Sequence, residues 1–340
     1  MHPLYPCFSF RLLIECAGII KIPLRMEKIK IGISSCLLGE KVRYDGGHKW
    51  DRYITDTLGQ YFEWMPVCPE VECGLPVPRE AMHLMGDPEA PRLVTVRTGT
   101  DQTEGMLKWV KGRLKTLEEA DLCGFIFKSR SPSSGIGGVT VYTPSGMPGR
   151  KGAGLFGGAF IRAFPLIPVI DEGRLHDPQL RENFIERVFA YQRWKKFLMH
   201  GATVKDLVTF HTEHKLLIFA HSPKHLSVLG RLVADAKKYT AVELLSLYIT
   251  QFMYALRLLA TAKKNTNVLL HIIGYFKKQL SADEKKELLD ILDAYHKGYV
   301  PLIVPVVLIN HYVRKFDEPY LKKQYYLNPH PIELMLRNHV

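Results

Sequence analysis

Residues 28–47 read KIKIGISSCLLGEKVRYDGG, and this stretch decides the fold. Lys28 to Ile33 is a short apolar-rich run of the length and composition of a strand, and it opens into a polar, glycine-containing loop that carries Cys36. The same succession recurs downstream. Phe62 to Val67 leads into Cys68, and Cys123 to Phe127 leads into the turn Ser131 to Gly135. Further strands are expected at Leu93 to Val96 and Leu166 to Val169, with helices at Trp50 to Leu58 and Gly105 to Ala120. Short strands alternating with helices predict an α/β domain with a mostly parallel sheet. Ligands of such sheets gather at the carboxyl ends of the strands, so three loops converge at one rim.

Beyond Asp171 the pattern changes. Phe184 to Leu198, Val204 to Ala220, Lys224 to Lys237, Ala241 to Ala260, Thr266 to Leu280, Asp283 to Tyr295 and Pro301 to Lys315 each repeat apolar residues at helical period. Ser281 with Glu284 has the spacing of a capping box. The second half is therefore read as all-α. The turn residues of EGRLHDP, between Asp171 and Pro178, mark the boundary, which gives domains at 26–173 and 174–340. No internal repeat or low-complexity tract interrupts either.

The first 25 residues are apolar, but Arg11, Glu15 and Lys21 break the run and no small-residue cleavage site follows, which argues against a signal peptide. Met26, just before the first strand, is expected to be the start. No stretch approaches the ~20 apolar residues of a membrane span. Six cysteines (7, 16, 36, 68, 73 and 123) in 340 residues are too few and too scattered for a disulfide framework, which predicts reduced thiols and a cytoplasmic protein without a membrane partner. At 46% hydrophobic residues the chain can bury a core in each half. The net charge is +12, and its excess is uneven: residues 174–340 hold 25 Lys+Arg against 15 Asp+Glu, leaving 21 against 19 for residues 1–173. A polyanionic partner would meet the C-terminal half.

Three segments carry more chemistry than a fold requires: SSCLLG with VRYDGG, VCPEVECGL, and KSRSPSSG. Singly they have ordinary explanations, since a cysteine after a strand is usually a small buried hydrophobe and Asp45-Gly46-Gly47 suits a tight turn. Cys68-x4-Cys73 has a spacing found in iron-sulfur loops. Together, SSCLLG, VRYDGG, VCPE, GLPVPRE and KSRSPSSG, in that order, resemble the thiouracil desulfidases. NTNVLLHIIGYFKK, PLIVPVVLINHYVRK and YYLNPHPIELMLRNHV resemble the YbgA-like domain to which some members of that family are fused.

The resemblance implies removal of sulfur from 4-thiouridine in tRNA, without redox change, at a [4Fe-4S] cluster held by three cysteines with one iron open to the substrate's sulfur. Cys36 and Cys68 match two ligand motifs. The third motif, usually SPSCG, here reads SPSSG, with Ser134 at the cysteine position. The expected ligands are therefore Cys36, Cys68 and Cys73, with Ser134 close by and Cys123 in the core. Glu70 is the expected general base for the attacking water, and Ser131 the hydrogen-bonding partner of substrate or water. Arg43, Tyr44, Asp45, Lys128 and Arg130 are candidates for binding the nucleotide.

In the helical half, the basic pairs Lys263-Lys264, Lys277-Lys278 and Arg314-Lys315 are candidates for phosphate contact, although lysine also suits any helix end. His211 and His214, one helical turn apart, lack a third metal-binding neighbour and are read as structural or RNA-facing. The partner is tRNA or a thiolated nucleotide, with no obligate protein partner. Two other readings use the same residues: a desulfidase of free thiouracil or thiouridine nucleotides, and a non-catalytic RNA-binding protein that has lost its cluster through Ser134.

Overall fold

The computed structural model of the chain describes residues 27–339; the expectations for the leader, for Met26 as start, and for Cys7 and Cys16 lie outside these residues. The N-terminal half is built on a four-stranded parallel sheet of β1 (Ile29–Ser34), β2 (Phe62–Val67), β5 (Phe125–Phe127) and β8 (Val169–Asp171), in the order β2-β1-β5-β8. β1 is central, with Ile29 opposite Phe62 on one side and Gly32 opposite Phe125 on the other. Gly32 is required there, because a Cβ would come within 2.2 Å of the Phe125 ring. β8 begins at Val169, later than the expected Leu166, because Pro165 and Pro168 lack the N–H that a ladder uses. The expected helix at Trp50 to Leu58 is a short π-helical turn, Tyr53–Thr57, followed by a 3-10 turn, Leu58–Gln60.

The strand expected near Leu93 belongs to a second, mixed sheet. It comprises β3 (Met82–Met85), β4 (Arg92–Thr95), β6 (Val139–Tyr142) and β7 (Pro148–Gly152), in the order β4-β3-β6-β7. β3 and β6 run parallel, while β4 and β7 flank them antiparallel. β7 is exposed through most of its length and reads PGRKG, so no apolar alternation betrays it.

The one-turn helix α1 (Pro69–Glu72) leaves β2, and α2 (Thr103–Glu119) and α3 (Leu155–Ala163) cover one face of the parallel sheet. There Phe125 and Phe127 stack face to face and Phe160 meets both edge-on, with Phe156 beside them, among Met106, Val110 and Leu117. After the short α4 (Glu172–Leu175), the other face is closed by α5 (Pro178–Met199) through Phe184, Ile185, Val188 and Phe189, joined by Leu334 and Leu336 from the far end of the chain. Gly124 admits this packing, since a Cβ there would lie 2.9 Å from Val188.

The helices α6 (Val204–His221), α7 (Pro223–Ala234), α8 (Ala241–Arg257), α9 (Ala262–Ile273), α10 (Ala282–His296), α11 (Ile303–Lys315) and α12 (Pro319–Lys322) form the second half. They enclose one apolar core around Phe210, Tyr248, Phe252 and Phe276. Ser281 and Glu284 form the expected capping box, as do Thr203 with Asp206 and Thr240 with Glu243. Among the described residues no single helix is long and apolar enough to cross a membrane.

Candidate active site

The carboxyl ends of β1, β2 and β5 deliver their loops to one cavity of about 360 Å3. Ser34, the last residue of β1, accepts a hydrogen bond from the Lys128 amide at 2.9 Å and ties the first loop to the third. Cys36 follows in a tight turn that ends on Gly39, whose φ of 95° favours glycine. Cys68 stands just before α1, with its amide donating to Glu72 Oε1 at 3.0 Å. The third loop seats on the start of α3, where the amides of Phe156 and Gly157 donate to the Ser133 carbonyl at 2.8 and 3.0 Å. Gly154 and Gly157 make that approach possible, because a Cβ on either would lie 2.6 Å from the loop backbone.

Cys36, Cys68 and Ser134, all buried, line this cavity together with Glu70, Ser131, Arg43, Tyr44, Lys128 and Arg130. Burial pushes the Cys36 thiol up to about 11, with Lys128 pulling the other way. Burial, reinforced by the nearby Glu70 carboxylate, pushes Cys68 up to about 12. Glu70 Oε2 lies 3.6 Å from Cys68 Sγ, and its Oε1 accepts from the Ser133 hydroxyl. Ser131 Oγ lies 2.9 Å from Ser133 Oγ and accepts from the Ser134 amide at 3.1 Å, so it organises the loop as well as facing the cavity.

Two expected site residues lie elsewhere. Cys73 borders a separate shallow hollow beside Trp109 and Arg113, and its thiol donates to the Glu70 carbonyl at 3.2 Å. Five residues along a helix is a rotation of about 140°, which carries Cys73 away from the side presented by Cys68. The expectation that it joins Cys36 and Cys68 is not met. Asp45 does not line the cavity; it pairs with Arg43 at 3.3 Å and accepts from the Gly47 amide at 3.0 Å, both of which hold its carboxyl below the usual range. It is a turn former. Cys123 is buried in the core, as expected.

Lys128 is committed to Glu172, which also accepts from the Ser129 amide and, at 2.8 Å, from its hydroxyl. Burial opposes ionisation of Glu172, but these partners outweigh it and hold its carboxyl below the ordinary range. Arg79, within GLPVPRE, is a site residue that sequence reasoning misses. Its guanidinium donates to the Val42 and Pro76 carbonyls at 3.0 and 3.3 Å, lies 3.9 Å from Glu70 Oε2, and lines the cavity. An arginine after Val-Pro carries no local signal of such a role; only the fold brings it to Glu70.

In the helical half His214 is fully buried, accepting from Arg193 Nε at 3.0 Å, and His211 meets the Tyr248 hydroxyl at 3.1 Å. Both are structural, and among the described residues no group of three His, Cys, Asp or Glu has metal-binding geometry. Of the basic candidates, Lys264 donates to the carbonyls of His221 and Leu259, and Lys315 pairs with Glu284 at 2.6 Å. Lys263, Lys277, Lys278 and Arg314 are exposed.

Residues 31–172 match the family described as 2-thiouracil desulfurase, and residues 215–331 match the family described as protein of unknown function DUF1722. The chain is 31% identical over 156 residues to the uncharacterised protein YbgA of Escherichia coli K12, covering 45% of this chain and 90% of YbgA. It is 32% identical over 122 residues to the uncharacterised protein YbbK of Bacillus subtilis 168, covering 34% of this chain and 78% of YbbK. Among solved structures it is similar to the [4Fe-4S]-dependent thiouracil desulfidase TudS, with 30% identity, 44% of this chain and 95% of that one covered, and a TM-score of 0.37.

Proposed function

Because the chain belongs to the 2-thiouracil desulfurase family in its first half and to the YbgA family in its second, we propose that it removes sulfur from a thiolated uracil ring, with 4-thiouridine in tRNA as the substrate. The observation that carries this reading is the convergence of Cys36, Cys68, Ser134 and Glu70 on one cavity. The donor set fits an iron-sulfur cluster at three corners, two thiols and one hydroxyl, and with Cys73 turned away Ser134 replaces it as the third donor. Serine is a harder ligand for iron than cysteine, so this corner is the weakest. Arg43, Arg79, Lys128 and Arg130 border the same cavity and offset the negative charge of thiolates.

A bound cluster supplies Lewis acidity toward the thiocarbonyl sulfur. The chain's own residues supply the rest. Glu70 takes a proton from water as its oxygen adds at C4; the C4–S bond breaks, the sulfur leaves as hydrogen sulfide, and C4 ends as the carbonyl of uridine, with no change of redox state. Ser133 and Arg79 hold the Glu70 carboxylate from two sides. Ser131 sets the loop that carries Ser133 and Ser134. The basic excess of the second half supports tRNA over a free base, because a paired and stacked nucleotide must be drawn out at a cost of a few kcal/mol that phosphate contacts elsewhere offset.

Anaerobic reconstitution of the full chain tests this. A brown protein absorbing broadly near ~400 nm, holding iron and sulfide and converting 4-thiouridine in tRNA to uridine, is expected. A colourless protein that retains no iron would remove the desulfidase reading and leave the RNA-binding one.

A further inference from the structure

Glu172 stands just outside the cavity that Cys36, Cys68 and Ser134 line, and the proposed chemistry gives it no part. It follows Asp171, the last residue of β8, and its partly buried carboxylate takes three donors from the start of the third loop. Oε1 accepts from the Lys128 ammonium and, at 2.8 Å, from the Ser129 hydroxyl, while Oε2 accepts from the Ser129 amide at 2.5 Å. The ammonium spends its other two protons on the Ser129 carbonyl and hydroxyl, at 3.0 and 3.1 Å. Neither charge is left for a ligand.

On the other side of the loop Ser34, the last residue of β1, accepts from the Lys128 amide at 2.9 Å. β5 lies between β1 and β8, so the chain leaving β5 is gripped at its first two residues from both neighbouring strands. The far end of the loop is seated on α3 through the amides of Leu155, Phe156 and Gly157. Between these anchors Arg130 has a φ of 55°, a left-handed conformation that residues other than glycine rarely adopt. Groups outside the loop therefore impose its path at that point. Past it, the Ser131 hydroxyl accepts from the Ser133 and Ser134 amides at 3.3 and 3.1 Å, and Ser134 is buried.

The chemistry of the third donor makes this grip matter. A thiolate binds iron firmly enough to draw a loose loop into place, at the entropic cost of ordering it. A serine oxygen is a harder and weaker partner for an iron-sulfur centre, so its bond has little left over for ordering. The loop that carries Ser134 must be set before the donor is used. We propose that Glu172 is a positioning residue: through Ser129 and Lys128 it presets the third loop so that Ser134 can serve as the third corner beside Cys36 and Cys68. The proposal rests on the reading of this cavity as a cluster site and adds what makes a serine corner workable there.

The test uses the full chain with and without iron. Anaerobically loaded wild type, Glu172→Gln and Glu172→Ala are challenged with excess chelator, and the loss of absorbance near ~400 nm gives the rate at which iron leaves. Glu172→Ala is expected to lose iron about tenfold faster or more, the scale of one charge-assisted hydrogen bond. Glu172→Gln, whose amide oxygen still accepts from Ser129, falls between the two. Adding Ser134→Cys to Glu172→Ala is expected to bring the rate back to within about threefold of wild type, because a thiolate needs less help from the loop; a role in general stability would leave the double variant as leaky as Glu172→Ala. In the iron-free chain, hydrogen exchange of residues 129–135 is expected to quicken in both single variants, with β1 and β2 unchanged. Unchanged iron loss in Glu172→Ala, failure of Ser134→Cys to slow it, or unchanged exchange in the loop each overturns the proposal. If Glu172→Ala does not fold, Glu172→Gln carries the same comparisons. A wild-type chain that holds no iron removes the desulfidase reading and the role of Ser134, while exchange still decides whether Glu172 sets the loop.

Discussion

Replacing Glu70 with glutamine separates proton transfer from everything else Glu70 does. The amide oxygen can still accept from the Ser133 hydroxyl, and Arg79 keeps its hydrogen bonds to the carbonyls of Val42 and Pro76. The ionic attraction that disappears is the 3.9 Å approach of Arg79 to Oε2, so the fold should lose no more than about 1 kcal/mol. A missing general base slows turnover by ~10²- to 10⁴-fold, or about 3–5 kcal/mol of barrier at ~1.4 kcal/mol per decade. The loss should fall on kcat, with KM and the brown colour retained. Ser133→Ala removes one orienting hydrogen bond and leaves the base, so a loss of about 0.5–1.5 kcal/mol, roughly two- to tenfold, is expected. Sulfide release under anaerobic conditions, with iron content measured on the same samples, reads both variants. A Glu70→Gln enzyme within a few-fold of wild-type kcat, or one that loses iron along with activity, refutes the assignment of Glu70 as base.

Cys36→Ala and Cys68→Ala should each abolish iron retention while Cys73→Ala keeps it; loss of iron in Cys73→Ala but not in Ser134→Ala would return the third corner to Cys73. In the iron-free protein Cys36 at about 11 and Cys68 at about 12, against an ordinary 9.0, carry roughly 10²- and 10³-fold less thiolate at pH 8 than an unperturbed cysteine. Their alkylation, followed by mass spectrometry, should be correspondingly slow and should accelerate as pH rises; labelling at the rate of free cysteine would contradict the burial that sets these values. Arg337→Met leaves Glu182 and Glu186 without their shared cation, which should cost about 3–5 kcal/mol and lower the midpoint of thermal unfolding by about 10 °C, as calorimetry would detect. Reversing the charge of Lys263, Lys277 and Lys278 should weaken tRNA turnover and flatten its salt dependence while sparing a free thionucleoside, and unchanged turnover on tRNA would clear that surface of the role.

The parallel sheet was legible because β1 and β5 are short apolar-rich runs and β2 is anchored by buried Phe62 and Val67 at its ends, and the site was legible because each strand ends in a loop of unusual residues. Cys36, Cys68 and the Ser131 to Gly135 turn could be placed at one rim on that basis, whereas the parts given to Glu70 and to the Ser134 position came from the family resemblance. The second sheet was not legible, since β3 is four residues of MHLM and β7 is the exposed PGRKG, neither of which alternates. Cys73 was misplaced because sequence proximity to Cys68 says nothing of the angle at which a one-turn helix presents each residue. Arg79 and Glu172 were missed because their partners lie 9 and 44 residues away, at Glu70 and Lys128. The buried ionic cluster of Glu182, Glu186, His221 and Arg337 joins α5, α6 and the C-terminal segment, and no local pattern in any of them predicts the others.

The boundary at 173/174 marks a change of secondary structure without marking an energetic one. Phe184, Ile185, Val188 and Phe189, all on α5, are part of the core that closes the parallel sheet. Burying each is worth about 1.5–3 kcal/mol, so the four together are worth about 6–12 kcal/mol. That sum is comparable to the whole net stability of an ordinary domain, about 5–15 kcal/mol, and a fragment cut at the boundary would forfeit it. The end of the chain extends the interlock. Leu334 and Leu336 pack into the sheet's core while Arg337, the next residue, clamps Glu182 and Glu186 in the helical half.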